Sequence, residues 1–257
     1  MSESYRRIVL KFGTGILTQA NGSALDLQQI KGLTDAVAEL VHAGNECILV
    51  SSGAVAAGMS VLGLTERSND LPTKQACAAI GQSKLMQQYE HHFFQHQLSV
   101  AQLLLTHQDV DSRTRYNNAR NTLDRLLFAR NVVPIINEND SVAVEELKFG
   151  DNDHLSAEVA MLAGADLLVL LTSADGLTTN GQPTGEVIPE VIDVDSVMGL
   201  ASEGKGRLSV GGMVTKLQAV KTAVEAGIQT VIANGRKPEL IQQLVAGGLV
   251  GTRFLPK

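Results

Sequence analysis

Two lysines in this chain stand beside close glycines at points where an anion could be held. Lys11 ends an apolar run and leads into Gly13 and Gly15 in KFGTG (11–15); Lys216 closes SVGGMVTK (209–216). Glycine lets backbone N–H groups approach an anion without a Cβ in the way. Lys216 also enters a helical pattern, and a helix N-terminus favours negative charge. Both segments therefore suit a phosphate. Between them in sequence lie SSGAVAAG (51–58), the acid-and-amide runs INENDSV (136–142) and GDNDHLSA (150–157), and LTSADGL (171–177). Each of these loops has a plain reading as a turn or a helix cap. The case for chemistry rests on their occurring together.

Familiar motifs do not account for the set. GLASEGKG (199–206) approaches the P-loop pattern, but Gly206 stands where Ser or Thr should hold magnesium, and a helical stretch precedes it rather than a strand. No G-x-G-x-x-G follows the first strand, which argues against a dinucleotide fold. His91, His92 and His96 include an i, i+4 pair without a third ligand, so they read as the wet face of a helix. Arg113, Arg115 and Arg120 read likewise as a solvated face. Ser52 in VSSGAV lacks the G-x-S-x-G context of a nucleophile and is read as a hydrogen-bonding group.

These loops need elements to position them. RRIVLKF is a buried strand running into GTG. LDLQQIKGLTDAVAELVHAG places Leu27, Ile30, Leu33, Val37, Leu40 and Val41 on one helical stripe, with a capping box at Asp26 and Gln29 and a stop at Gly44. CILVSS is the next strand, and a long helix is expected from about residue 72 to 96. SVAQLLLT and VVPIIN are strands around a helix in RTRYNNARNTLDRLLFAR. SVAVEELKFG alternates like a hairpin. HLSAEVAMLAG is a helix and DLLVLLT a strand, and ADGLTTNGQPTGEVIPEV suits a second hairpin. Helix AVKTAVEAG, strand QTVIAN, helix PELIQQLVAG and strand TRFLP follow. This alternation predicts an α/β protein with a mainly parallel sheet covered on both faces, as one domain over 1–257. In such sheets ligands bind at the carboxyl ends of the strands, where the unusual loops fall.

Bulk properties narrow the class further. The chain has 257 residues, 44% hydrophobic, with 24 glycines and no tryptophan. A net charge of −6 without a basic block argues against a nucleic-acid partner. Cys47 and Cys77 lie in apolar surroundings and are expected as buried thiols in a reducing compartment. No run is long enough to span a bilayer and the N-terminus has no signal-peptide pattern, so a soluble, cytoplasmic protein is expected.

Taken together and in order, KFGTGIL, VSSGAVAAG, IINENDSV, GDNDHLSA, LTSADGL and VGGMVTKLQA resemble the amino acid kinase superfamily over nearly the whole chain. Within it, INEND with GDND and GGM-x-TK-x-Q-A resemble the branch acting on glutamate at the head of proline synthesis. The resemblance implies a three-layer α/β/α sandwich around a central, mostly parallel sheet, the carbamate kinase-like fold. Roughly 1–165 would form the amino-acid lobe and 166–257 the nucleotide lobe. It implies transfer of the γ-phosphate of ATP, with Mg2+, to the side-chain carboxylate of L-glutamate. Ser52, Gly53, Ala54, Asn139, Asp140 and Asn152 would bind the amino acid. Lys11, Gly13, Thr172, Ser173, Val210, Gly211, Gly212, Met213, Val214, Thr215 and Lys216 would bind ATP. Lys11, Asp153 and Lys216 would be catalytic, with Asp153 orienting the lysines. Proline as feedback inhibitor, a homo-oligomer (dimer or tetramer) and hand-off of product to glutamyl-phosphate reductase are further implications. The chain departs from the family in three places. It is expected to be a short form without the C-terminal PUA-type domain of many members, Val210 stands where threonine is frequent, and Ser173 where aspartate is frequent.

The chemistry fits these residue types. A glutamate side chain, with an unperturbed pKa of about 4.3, is already ionised at neutral pH, so Asp153 has no proton to remove. The obstacle is repulsion between an anionic acceptor and a polyanionic donor, which positioned positive charge relieves. Asp140 with the acceptor oxygens of Asn139 and Asn152 would suit an α-ammonium, and SSGA offers donors to an α-carboxylate. A kinase for another carboxylate or phosphate acceptor, and a non-catalytic amino-acid sensor on the same fold, stand as alternatives. SVAVEELKFG would be a mobile cover. Asp153 could also cap the helix it begins.

Overall fold

The computed structural model describes residues 5–143, 152–182, 185–203 and 212–256. The expected cover hairpin lies almost wholly outside them, as do Asp151, Val210 and Gly211. The strands are β1 (Arg7–Phe12), β2 (Glu46–Ser51), β3 (Ser99–Leu105), β4 (Val132–Glu138), β5 (Leu167–Thr172), β6 (Glu190–Val191), β7 (Gln229–Asn234) and β8 (Thr252–Phe254). They form an eight-stranded sheet in the order β3-β4-β2-β1-β5-β7-β8-β6. Every pairing is parallel except β7 with β8. The expected terminal strand TRFLP thus returns antiparallel to its neighbour.

Helices cover both faces: α1 (Thr14–Leu17), α2 (Leu27–His42), α3 (Ala54–Val61), α4 (Leu71–Gln95), α5 (His107–Asp111), α6 (Arg113–Phe128), α7 (Asn152–Ala163), α8 (Met198–Glu203), α9 (Met213–Glu225) and α10 (Ile241–Val245). Successive side chains of a strand point to opposite faces. Ile8, Leu10 and Phe12 of β1 accordingly join a core with α2, α4 and α10, while Val9 joins a second core with α6, α7 and α9. Lys11 shares the parity of Val9, so it faces the α7 and α9 layer. No helix among the described residues is long and apolar enough to cross a membrane.

Local details refine the expectations. Asp26 caps α2 by accepting from the Gln29 N–H at 3.1 Å, but the Gln29 side chain donates to Gly235 O at 2.6 Å instead of closing a capping box. The second hairpin is present in the Thr178–Val187 antiparallel bridge. PELIQQLVAG splits into a 3-10 turn and the short α10. Both cysteines are free and buried, and burial pushes the Cys47 thiol up to about 12. The wet-face reading of the histidines fails at His92. It is buried, and burial, followed by repulsion from His91, holds its pKa below the ordinary value. Arg115 is exposed and pairs with Asp109 at 3.0 Å.

Glycines set the approach of α3 to α4. A Cβ on Gly58 would lie 1.9 Å from the Cys77 carbonyl oxygen, and one on Gly81 would lie 1.7 Å from that of Ala54. Both obstacles are backbone and cannot rotate away. Gly81→Ala should therefore cost about 3 kcal/mol, the upper range for overpacking. It should lower the urea midpoint at unchanged slope. Because Ala54 follows Ser52 and Gly53, the same change should disturb the neighbouring loop. A midpoint equal to the parent's would contradict the close contact.

Candidate functional site

Three charged side chains converge at the carboxyl end of β1. Asp153, on the first turn of α7, has no exposed surface. Its Oδ1 accepts from Lys11 Nζ and its Oδ2 from Lys216 Nζ at 2.9 Å. Thr215 Oγ1 lies 3.4 Å from Oδ2 and donates to Gly212 O at 2.9 Å. Lys11 is 3% and Lys216 6% exposed. Two cations on one buried carboxylate are held at fixed separation, because each lysine comes from a different rigid element. Asp153 is thus a bridge between the two lysines.

Lys216 sits one turn into α9, whose N-cap is Gly212 without a side-chain cap. The N-terminal N–H groups and dipole there favour an anion. Gly212 and Val214 are exposed, and Met213 and Thr215 half-buried. Gly13 follows β1, and a Cβ there would lie 3.7 Å from Lys11 Nζ. Its N–H donates to Leu171 O at 3.3 Å, so that donor is already engaged within the fold. Thr172 ends β5 beside β7, its carbonyl accepting from Gly235 N at 2.8 Å, and Ser173 is exposed just beyond. Nearby, hydrogen bonds from Lys237 and Asn234 hold the Asp175 carboxyl below its ordinary range.

On the other side of Asp153, Asn152 organises an amide cluster. Its Nδ2 donates to Ser51 O at 2.7 Å, Asn137 Oδ1 at 2.8 Å and Ser52 Oγ at 3.2 Å. Gly53, with φ of 101°, makes the left-handed turn that starts α3. The Tyr89 hydroxyl lies 2.7 Å from Ser51 Oγ, which donates to Ser52 O at 3.0 Å. Burial raises the Tyr89 pKa against the opposing Ser51 bond, so the phenol stays protonated. Beside this cluster a cavity of about 250 Å3 is lined by Ala54, Gln82, Gln102, Glu138, Asn139 and Asp140, among others. Asn139 is fixed by its own N–H to Leu105 O at 2.8 Å and by Ser141 Oγ at 2.6 Å.

The structure therefore brings Lys11, Asp153, Thr215 and Lys216 together, joins Ser52 to Asn152, and sets Ala54, Asn139 and Asp140 around one cavity. Asn137 and Gln82 belong to the same cluster and were missed from sequence. Asn137 lies inside INEND, and strand parity in VVPIINE would have separated it from Glu138. Gln82, in the middle of α4, carries no local signal.

The profile described as the amino acid kinase family matches residues 6–234. A glutamate 5-kinase of Citrifermentans bemidjiense is 47% identical over 255 residues, covering 98% of this chain and 68% of the relative. The Geobacter sulfurreducens glutamate 5-kinase is 48% identical over the same shares. Two solved structures share the fold at low identity. A UMP kinase from Bacillus anthracis has a TM-score of 0.65 at 13% identity, covering 99% of this chain and 98% of its own. A carbamate kinase from Giardia lamblia bound to AMP-PNP has a TM-score of 0.66 at 16% identity, covering 98% and 99%. The parallel sheet, the family match and the extent of these identities lead to one assignment: the chain belongs to the amino acid kinase family of phosphotransferases and, within it, to the glutamate 5-kinases.

Proposed function

We propose that the chain transfers the γ-phosphate of ATP to the γ-carboxylate of L-glutamate, forming the acyl phosphate that opens proline synthesis. The observation that carries this reading is the buried Lys11–Asp153–Lys216 bridge, with the α9 N-terminus on the side of Lys216 and the Asn152 amide cluster adjoining Asp153. The acceptor is already anionic, so the site needs no general base. Its work is positioning and charge neutralisation. Lys11 and Lys216 neutralise the transferring phosphoryl group, and Asp153 keeps their ammonium groups in register. The α9 N-terminus, with Gly212, Met213, Val214 and Thr215, receives the phosphates, and Thr172 and Ser173 the rest of the nucleotide. Val210 and Gly211 extend that set outside the described residues.

The amino acid lies against the Asn152 amide cluster, its ammonium toward Asp140 and the oxygens of Asn139 and Asn152. Ser52, Gly53 and Ala54 present donors to its carboxylate. Magnesium is the expected cofactor. No group of three His, Cys, Asp or Glu among the described residues is assembled to hold a metal, and Asp153 is engaged by lysines. The ion fits better as one carried on nucleotide phosphates, and no step here is routed through it.

With ATP, magnesium and glutamate, added hydroxylamine should trap the product as a hydroxamate. Absence of glutamate-dependent hydroxamate and ADP would sink the assignment. Asn152→Ala removes the donor to Ser51, Ser52 and Asn137, so it should raise the glutamate KM about tenfold or more while leaving the ATP KM nearly unchanged. An equal rise in both would place Asn152 elsewhere in the mechanism.

The remaining parts of the reading go with this assignment. Proline carries the same α-carboxylate and α-nitrogen and would compete with glutamate as a feedback inhibitor. The labile product favours prompt hand-off to a glutamyl-phosphate reductase in the cytoplasm. One domain with an amino-acid lobe over about 1–165 and a nucleotide lobe over 166–257, assembled as a homo-oligomer, completes it.

A further inference from the structure

The amide cluster has a direction, and backbone groups set it. The Glu138 N–H donates to Asn137 Oδ1 at 2.9 Å, so Asn137 must turn its Nδ2 the other way. That Nδ2 donates to Gln82 Oε1 at 2.8 Å, and Gln82 Nε2 then donates to Gln102 Oε1 at 3.1 Å. At the other end the Ser51 carbonyl, which can only accept, draws Asn152 Nδ2 inward beside Asn137 Oδ1. Donation therefore runs from Asn152 to Asn137 to Gln82 to Gln102. An amide has a donor end and an acceptor end, so each orientation fixes the next. With Nδ2 of Asn152 committed inward, its Oδ1 is the end left to meet a ligand.

We infer that Gln82 is a positioning residue for the amino-acid site: its Oε1 locks Asn137, and through it the Asn152 amide, in the orientation that presents an acceptor to an ammonium group. This rests on the proposed glutamate reading and deepens it. Gln82 lies in the middle of α4, well away in sequence from either asparagine, and acts through them. Without an acceptor at position 82, Asn137 Nδ2 loses its partner in a buried site. Asn137 then loses one of the contacts that hold its amide, and the Asn152 amide that donates to it is held less rigidly in the orientation the ammonium needs.

Two near-isosteric variants separate this role from mere packing or direct contact. Gln82→Met keeps the length and removes the acceptor. Gln82→Glu keeps an acceptor for Asn137 in either protonation state but removes the Nε2 donor. For Gln82→Met, the glutamate KM should rise about tenfold, with kcat and the ATP KM within about twofold of the parent. In the ligand-free protein, NMR should show the Asn137 and Asn152 side-chain NH2 protons exchanging about tenfold faster. Gln82→Glu should recover most of both effects. Unchanged exchange in Gln82→Met would overturn the relay, and so would a Gln82→Glu variant as impaired as Gln82→Met. If the parent protein formed no glutamate hydroxamate, the functional reading would fall, while the exchange data on the free protein would still decide the relay.

Discussion

Asp153→Asn should lower kcat by about a thousandfold while the protein still binds nucleotide. The amide keeps the shape of the carboxylate but offers one acceptor oxygen instead of two. Its Nδ2 would face the ammonium of Lys11 or Lys216, a donor against a donor. Both lysines are almost fully buried, so they lose a counter-charge where water cannot replace it. Removing one partner of a buried ion pair costs about 3–5 kcal/mol. Part of that cost lowers the melting temperature of the free protein. ATP phosphates would restore counter-charge on binding, so the ATP KM should hold steady or fall. The penalty then appears in the step that needs both ammonium groups in register, and about 4 kcal/mol there corresponds to a thousandfold. Steady-state kinetics with both substrates varied, beside thermal melts with and without nucleotide, check this. A kcat within about threefold of the parent would show that the bridge is structural only.

Lys11→Met is the second large effect. Methionine matches the apolar stem of lysine and removes the ammonium. Loss of one preorganised charge at a phosphoryl-transfer site costs about 3 kcal/mol, so kcat should fall at least about a hundredfold with the glutamate KM little changed. Lys11→Arg should not rescue it. Lys11 is 3% exposed, and the space beside its Nζ is that left by Gly13. A planar guanidinium needs more room and a different hydrogen-bond geometry. Combined with Asp153→Asn, the two losses should add to much less than their sum, because both break one contact. Full additivity of the two in log kcat would mean that the residues act separately.

Much of the fold was legible because periodicity records burial. The buried strands read as short apolar runs, and α2 as a stripe with a real cap at Asp26. Where the reading slipped, a distant partner decided the outcome. Gln29 found the carbonyl of Gly235 instead of its own helix start. His92 is drawn inside with Phe93 although His91 beside it is exposed. β8 pairs antiparallel to β7, which its own few residues do not encode.

For the site, sequence alone determined the residue types and the loops that carry them: lysines beside glycines, and amides interleaved with acids at strand ends. It also determined the family, since those loops recur in order over nearly the whole chain. Only the tertiary structure decided which groups meet. Strand parity turns Lys11 toward the α7 and α9 layer, where Asp153 and Lys216 arrive from positions 142 and 205 residues away. It joined Asp153 to both lysines through separate carboxylate oxygens, and it added Asn137 and Gln82 to the amide cluster. The physical reason is that charge pairing and hydrogen-bond direction act over a few ångströms in space, whereas local sequence constrains only the turn or strand in which each residue sits.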